Sequence, residues 1–149
     1  MTPTIRVQEA PFDPSAETAA LSAGRVDVGG IASFLGLCRA DDGLQALVLE
    51  HYPGMTERAV AAIAAKAGER WPLTGLTVIH RVGRILPGEG IVLVLAASRH
   101  RTAALEACAF LIDWLKTGAP FWKREEFTGG EARWVAAREE DEARTREWG

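Results

Sequence analysis

The order of the predicted elements indicates a single α+β domain. Apolar segments with a two-residue period, typical of strands, are mixed with two long segments of helical period at 56–69 and 98–117. The order is irregular and lacks the repeated strand–helix–strand units of a doubly wound parallel sheet. A chain of 149 residues, 48% of them apolar, can bury one core without help from metals or disulfides. We therefore predict one domain over residues 1–149, with a charged C-terminal tail from about residue 137.

In the first half of the chain, turn and capping residues separate the elements. The predicted elements are a strand at 5–8, a helix at 14–23, strands at 30–39 and 44–52, and a helix at 56–69. Asp13 is suited to cap the first helix, and Pro14 is suited to its first position. The Asp-Asp-Gly turn at 41–43 predicts that the two strands around it pair as a hairpin.

In the second half, a long helix lies between strands. The predicted elements are strands at 76–82 and 91–97, the helix at 98–117 and a strand at 120–127. Ser98 is a favourable N-cap, and Gly118 is placed for a left-handed C-cap. Pro120 prevents the helix from continuing. The strand at 91–97 is a continuous apolar run, which is typical of a strand buried on both faces.

The end of the long helix and the strand after it place two lysines at one corner. Lys116 lies in the last helical turn, and Lys123 lies on the strand that follows a tight reversal at 117–119. In a shared pocket, burial and mutual repulsion would lower the pKa of at least one amine and make it available for chemistry. The structural alternative is that Lys116 complements the helix dipole and that Lys123 is a solvated strand residue.

Three cations occupy the start of the same helix, where the helix dipole disfavours positive charge. Arg99, His100 and Arg101 follow Ser98 directly. Free backbone N–H groups, imidazole and guanidinium together suit a phosphate, which would offset the unfavourable charge placement. The alternative is that all three side chains point into solvent.

Composition excludes several classes of function. The net charge of −3 gives no general affinity for nucleic acid, and the longest apolar run is too short to cross a bilayer. Cys38 and Cys108 fit neither a disulfide framework nor a metal site and are expected to be buried thiols. We therefore expect a soluble cytoplasmic protein with no metal and no cofactor.

Five segments in order resemble the large, catalytic subunit of molybdopterin synthase. They are 33–39 (SFLGLCR), 49–55 (LEHYPGM), 80–83 (HRVG), 98–101 (SRHR) and 115–125 (LKTGAPFWKRE), followed by Arg133-Trp134. The match covers nearly the whole chain. It departs at Cys38, where a non-thiol residue is expected, and by one extra residue between Lys123 and Trp134.

The resemblance implies a fold, an assembly and a reaction. The fold would be the α/β hammerhead, an α+β fold with a mostly antiparallel sheet and packed helices. The assembly would be a homodimer of large subunits, each binding a small ubiquitin-like sulfur-carrier subunit, to give a heterotetramer. The reaction would insert two sulfurs, from the carrier's C-terminal Gly-Gly thiocarboxylate, into cyclic pyranopterin monophosphate and form the dithiolene of molybdopterin.

The resemblance also implies site residues. Lys116 and Lys123 match the two active-site lysines, with Lys116 as the central amine, acting as base or nucleophile. The implied substrate-pocket residues are Phe34, Arg39, His100, Arg101 and Arg138. Because a diglycine tail has no side chains to recognise, we expect it to run as an extended strand along 120–127 and to end beside the lysines.

Two other functions fit the same residues. A non-enzymatic adaptor would bind a ubiquitin-like tail in the same groove, and a phosphate-ligand sensor would use only His100 and Arg101. Turnover separates them from the enzyme, because an adaptor binds the thiocarboxylated tail without consuming it. Cys38 could carry a persulfide, although its apolar neighbours favour an inert buried thiol.

Overall fold

The computed structural model of the chain describes residues 1–41, 43–130, 132–135 and 139–149. Its elements, in chain order, are β1 (Thr4–Gln8), α1 (Pro14–Ser22), β2 (Gly30–Leu37), β3 (Leu44–His51), α2 (Met55–Arg70), β4 (Leu73–Arg81), β5 (Gly83–Ile85), β6 (Gly90–Ser98), α3 (Arg101–Thr117), β7 (Phe121–Phe127), β8 (Ala132–Val135) and α4 (Glu139–Glu147). Among the helices in these ranges, none is long and apolar enough to cross a membrane.

The strands form two four-stranded sheets. The first has the order β1-β4-β6-β2 and the second the order β5-β3-β7-β8. Only the pairing of β1 with β4 is parallel among the strand pairs of the described residues. The prediction of an α+β fold with mostly antiparallel strands is confirmed, and the strands are divided between two sheets.

The core lies between the first sheet and helices α2 and α3. Both β4 and β6 are buried from their third residue to their last, as expected for central strands covered on both faces. The core residues on the helix side of the sheet are Val60, Ile63, Ala64, Ala67, Leu76, Val78, Val94, Ala104, Ala107 and Leu111. Small alanines on both helices let them approach the sheet closely, and this packing fixes the direction of α3.

The predicted hairpin between the second and third strands is wrong. Strand β2 pairs with β6 over its whole length, whereas β3 pairs with β5 and β7 in the other sheet. Strand β6 needs a partner along each edge because it is buried on both faces, and β2 fills the edge that β4 leaves open. The turn after Arg39 therefore carries the chain from one sheet to the other.

The predicted N-cap of the long helix is wrong, and Gly118 is its C-cap as predicted but without the left-handed conformation. Ser98 belongs to β6, and its hydroxyl donates to the carbonyl of Pro72, so His100 takes the N-cap position without a side-chain hydrogen bond. Gly118 has a right-handed φ of −100°. The space around Gly118 explains why a glycine stands there, since a Cβ would lie 2.5 Å from the indole nitrogen of Trp114.

The C-terminal residues fold back onto the end of α3. The Trp148 indole N–H donates to the buried carboxylate of Asp113 over 2.6 Å, and its ring packs edge-on against Trp71 and Phe110. The hydroxyls of Thr117 and Thr145 lie 2.7 Å apart. These contacts hold α4 beside the last turn of α3, where Lys116 is located.

Candidate active site

Lys116 and Lys123 lie at the junction of two cavities. Lys116 is exposed in the last turn of α3, and Lys123 is half-buried in the middle of β7. Both lysines line both cavities, together with Ile91 and Val135. A reactant in one cavity and a reactant in the other would therefore meet at the same two amines.

The first cavity, called the His80 cavity here, has a volume of about 290 Å³ and a wall of both apolar and polar groups. Besides the four shared residues, its wall consists of Leu49, His80, Val92, Ile112, Leu115, Thr117, Ala119 and Phe121. The second, called the Arg39 cavity, has a volume of about 390 Å³ and a more polar wall. Its other lining residues are Leu37, Cys38, Arg39, Asp41, Leu44, Leu47, Glu125 and Asp141.

Burial lowers the pKa of Lys123. The positive charge of Lys116 lowers it further, while the carboxylates of Glu125 and Asp141 oppose the shift. Loss of hydration disfavours the ammonium form, and a second cation nearby adds repulsion. The Lys123 amine therefore loses its proton more readily than an exposed lysine does, which suits proton transfer or attack on an acyl group.

His80 is the other titratable group of the His80 cavity. Its pKa is lowered to about 4, chiefly by burial and also by the charges of Lys116, Lys123 and His51, while a hydrogen bond to the Arg81 backbone opposes the shift. The ring is stacked on Phe121 with centroids 4.0 Å apart. His80 is therefore uncharged at neutral pH.

This buried imidazole makes stability depend on pH. Its folded-state pKa, about 4, is below its ordinary value of 6.5, so the unfolded chain binds a proton that the folded chain does not bind. The free energy of unfolding should fall by about 2 kcal/mol between pH 7 and pH 5 from this group alone. Urea unfolding at both pH values measures it, and His80→Gln should remove that part of the change. An unchanged pH dependence in His80→Gln would contradict this assignment.

Known proteins are similar to this chain in sequence and in fold. A sequence model of the MoaE protein family matches residues 7–118, three quarters of the chain. The chain belongs to the MoaE family.

A Mesorhizobium japonicum protein named molybdopterin synthase catalytic subunit is 59% identical to this chain, and the match covers 99% of this chain and 94% of that protein. A Pseudomonas aeruginosa protein of the same name is 52% identical, over 97% of each. The structure of the molybdopterin biosynthesis MoaE protein from Burkholderia ambifaria superposes with a TM-score of 0.84, at 49% identity over 99% of this chain and 98% of that one.

The MoaE-family chain keeps His100 and Arg101 far from the lysines. Both are exposed at the beginning of α3, whereas Lys116 lies in its last turn. At 1.5 Å per residue, the fifteen positions from Arg101 to Lys116 span about 22 Å. One chain therefore does not bring the predicted phosphate site and the lysine pair into the same pocket.

The other predicted pocket residues have different positions. Arg39 lines the Arg39 cavity and pairs with Asp41 at 3.2 Å, with most of its side chain exposed. Phe34 is exposed on the edge strand β2. Among the described residues that form the walls of the two cavities, Phe34 is absent. Arg138 lies outside the described residues.

The expected path of a peptide tail along β7 needs correction. From Lys123 to Glu126, β7 is paired with β3 on one side and with β8 on the other. Its backbone hydrogen-bonding groups beside the lysines are therefore occupied, and an added strand cannot pair there. The sequence pattern did not indicate that β7 is paired on both sides, because the short strand β8 was not predicted.

Several wall residues were not assigned to the site from sequence, among them His80, Phe121 and Asp141. His80 alternates with apolar neighbours and was indistinguishable from a core residue. Phe121 lies within the matched segment 115–125 but was given no role, and Asp141 lies in the charged C-terminal tail. Cys38 lines the Arg39 cavity as a buried thiol, and burial raises its pKa, which favours the unreactive protonated form. Within the described part of the chain, no group of three or more His, Cys, Asp or Glu residues is placed to hold a metal ion.

Proposed function

We propose that this chain is the catalytic subunit of a cytoplasmic molybdopterin synthase. It transfers sulfur from the C-terminal thiocarboxylate of a small ubiquitin-like carrier subunit to cyclic pyranopterin monophosphate and forms the dithiolene of molybdopterin. The observation that carries the proposal is the meeting of two cavities at Lys116 and Lys123. The names of the relatives, each a catalytic subunit of this enzyme, support the same reaction.

The lysine pair suits the chemistry of a thiocarboxylate. Each transfer forms a carbon–sulfur bond on the pterin, where a carbon–oxygen bond breaks, and cleaves the bond between sulfur and the carrier's acyl carbon. The acyl group passes to water, directly or by way of Lys116, and the carrier is left with an ordinary carboxylate. Lys116 is the central amine, acting as base or nucleophile at the acyl group. Lys123, whose pKa is lowered, accepts a proton or stabilises the oxyanion once protonated.

The site requires a second copy of the chain. His100 and Arg101 suit the substrate's phosphate, yet they lie about 22 Å from Lys116 on the same rigid helix. In a homodimer, these two residues of one subunit complete the lysine site of the other. Carriers bound to both subunits give a heterotetramer.

Strand β2 is the proposed contact between the two large subunits. It lies at the edge of its sheet, and Phe34 and Leu35, on opposite faces of the strand, are 36% and 40% exposed. Leu37 is 52% exposed. A long apolar edge strand of this kind is a pairing site for another chain.

The deciding experiment is a single reaction with purified components. The chain is incubated with thiocarboxylated carrier and pyranopterin monophosphate, and mass spectrometry follows the gain of two sulfurs by the pterin. The same carrier with an ordinary C-terminal carboxylate is the control. Carrier binding without sulfur transfer would overturn the proposal in favour of an adaptor. Binding of pterin phosphate without any effect of carrier would favour a sensor.

A further inference from the structure

We infer that His80 is a positioning residue whose Nε2 accepts a hydrogen bond from a backbone N–H of the carrier's glycine tail. The bond directs the thiocarboxylate towards Lys116 and Lys123. This inference rests on the proposed function and adds to it the group that orients the tail in the His80 cavity.

The contacts of the imidazole fix which of its nitrogens can accept. Nδ1 lies 2.8 Å from the backbone oxygen of Arg81. A carbonyl oxygen only accepts, so Nδ1 carries the hydrogen and donates it. In the uncharged ring, Nε2 then has a free lone pair and can act only as an acceptor.

The position of the ring is fixed as well. The side chain is buried, with 8% exposure, and stacks on Phe121 at an interplanar angle of 19°. Both rings are part of the wall of the His80 cavity. In the part of the chain that the structure describes, Nε2 makes no hydrogen bond, so its lone pair is available to a molecule in the cavity.

The tail needs such an acceptor. A glycine tail offers backbone N–H groups and no side chains, and β7 has both edges occupied beside the lysines. In the proposed reaction Lys116 and Lys123 act at the acyl group, so their nitrogens are directed at the thiocarboxylate and not at the backbone N–H groups of the tail. Thr117, the other described wall residue with a side-chain acceptor, donates its hydroxyl hydrogen to the backbone oxygen of Asp113, and its oxygen can then accept from the Thr145 hydroxyl, 2.7 Å away. His80 is therefore the available side-chain acceptor on the described wall of this cavity.

The surrounding charges keep the imidazole in the accepting form. Lys116 faces it from α3, Lys123 from β7 and His51 from β3, and each of these charges disfavours protonation of His80. A protonated ring would become a donor and would repel the tail's N–H. The low pKa of about 4 is therefore consistent with an acceptor role at neutral pH.

Two substitutions separate this role from a structural one. The amide oxygen of His80→Gln reaches the place of Nε2 and keeps an acceptor there. The shorter side chain of His80→Asn keeps a donor for the Arg81 carbonyl and loses the acceptor in the cavity. We expect His80→Gln to retain sulfur transfer within about threefold, and His80→Asn to lose roughly 10–100-fold in kcat/KM for the carrier. Both should bind a carrier lacking its Gly-Gly as the unaltered chain does.

Equal activity of the two variants would show that the acceptor in the cavity does not matter, and higher activity of His80→Asn would show that the Arg81 contact matters instead. Either result would overturn the inference. A wild-type chain that forms no dithiolene would instead overturn the proposed function. Nitrogen NMR of the unaltered chain gives a test that needs no variant. The Nε2 resonance should move when full-length carrier is added and stay in place with the truncated carrier. An equal response to both carriers would contradict the assignment.

Discussion

Lys116→Ala is expected to lower the rate of sulfur transfer by about 10²–10⁴-fold, the usual effect of removing a general acid–base group. The side chain is exposed at the end of α3 and has little burial to lose, so the fold and carrier binding should stay close to normal. Single-turnover transfer from thiocarboxylated carrier measures the effect. Circular dichroism and carrier affinity report on the fold and the interface.

Lys116→Arg tests what the lysine contributes. Arginine keeps the positive charge but does not deprotonate in proteins, so this variant should fail as well. Lys66→Ala is the matched control, since Lys66 is exposed on α2 and is the one lysine of the chain outside this site. An active arginine variant would show that charge alone is needed and would remove the base or nucleophile role.

A hybrid dimer of two damaged subunits is expected to regain activity. Lys116→Ala and Arg101→Ala each impair both sites of their own homodimer. If Arg101 acts across the dimer, a hybrid with one subunit of each kind has one site with both changes and one intact site. Its activity should therefore reach about half that of the unaltered dimer, as two-fold symmetry requires.

Differently tagged subunits, co-expressed and purified over both tags, give the hybrid. The matched comparison is a hybrid of Lys116→Ala with Lys123→Ala, two lysines that line the same cavities within one chain. That hybrid should stay inactive, because each of its sites lacks one lysine. Failure of the first hybrid to recover would mean that Arg101 serves its own subunit, or none, and would contradict the shared site.

The sequence was sufficient for the lysine corner, because a helix end and the next strand are local features. Lys116 and Lys123 are seven residues apart, and short-range periodicity placed both. The partner of β2 could not be predicted in this way. Its pairing with β6 depends on which long-range contacts bury the apolar run on both faces, while the nearby turn favoured a local hairpin.

The distances between site residues were equally beyond the sequence pattern. Arg101 and Lys116 were assigned to one substrate pocket, but both lie on α3, whose continuity separates them. His80 shows the opposite case, because its neighbours along β4 are core residues and only tertiary packing against Phe121 brings it to a cavity. Residue type and spacing indicated the candidate residues, and the three-dimensional arrangement showed which of them one chain brings together.

Because α3 runs without interruption from Arg101 to Thr117, we expect insertions and deletions in the codons for this helix to be poorly tolerated. Adding or deleting one residue within α3 would turn its two ends relative to each other by about 100° and shift them by 1.5 Å. Both sites of a symmetric pair would be misaligned by a single in-frame codon. Length changes between functional variants are therefore expected to avoid the codons for 101–117 and to accumulate in connections such as 128–130, where the chain turns after β7.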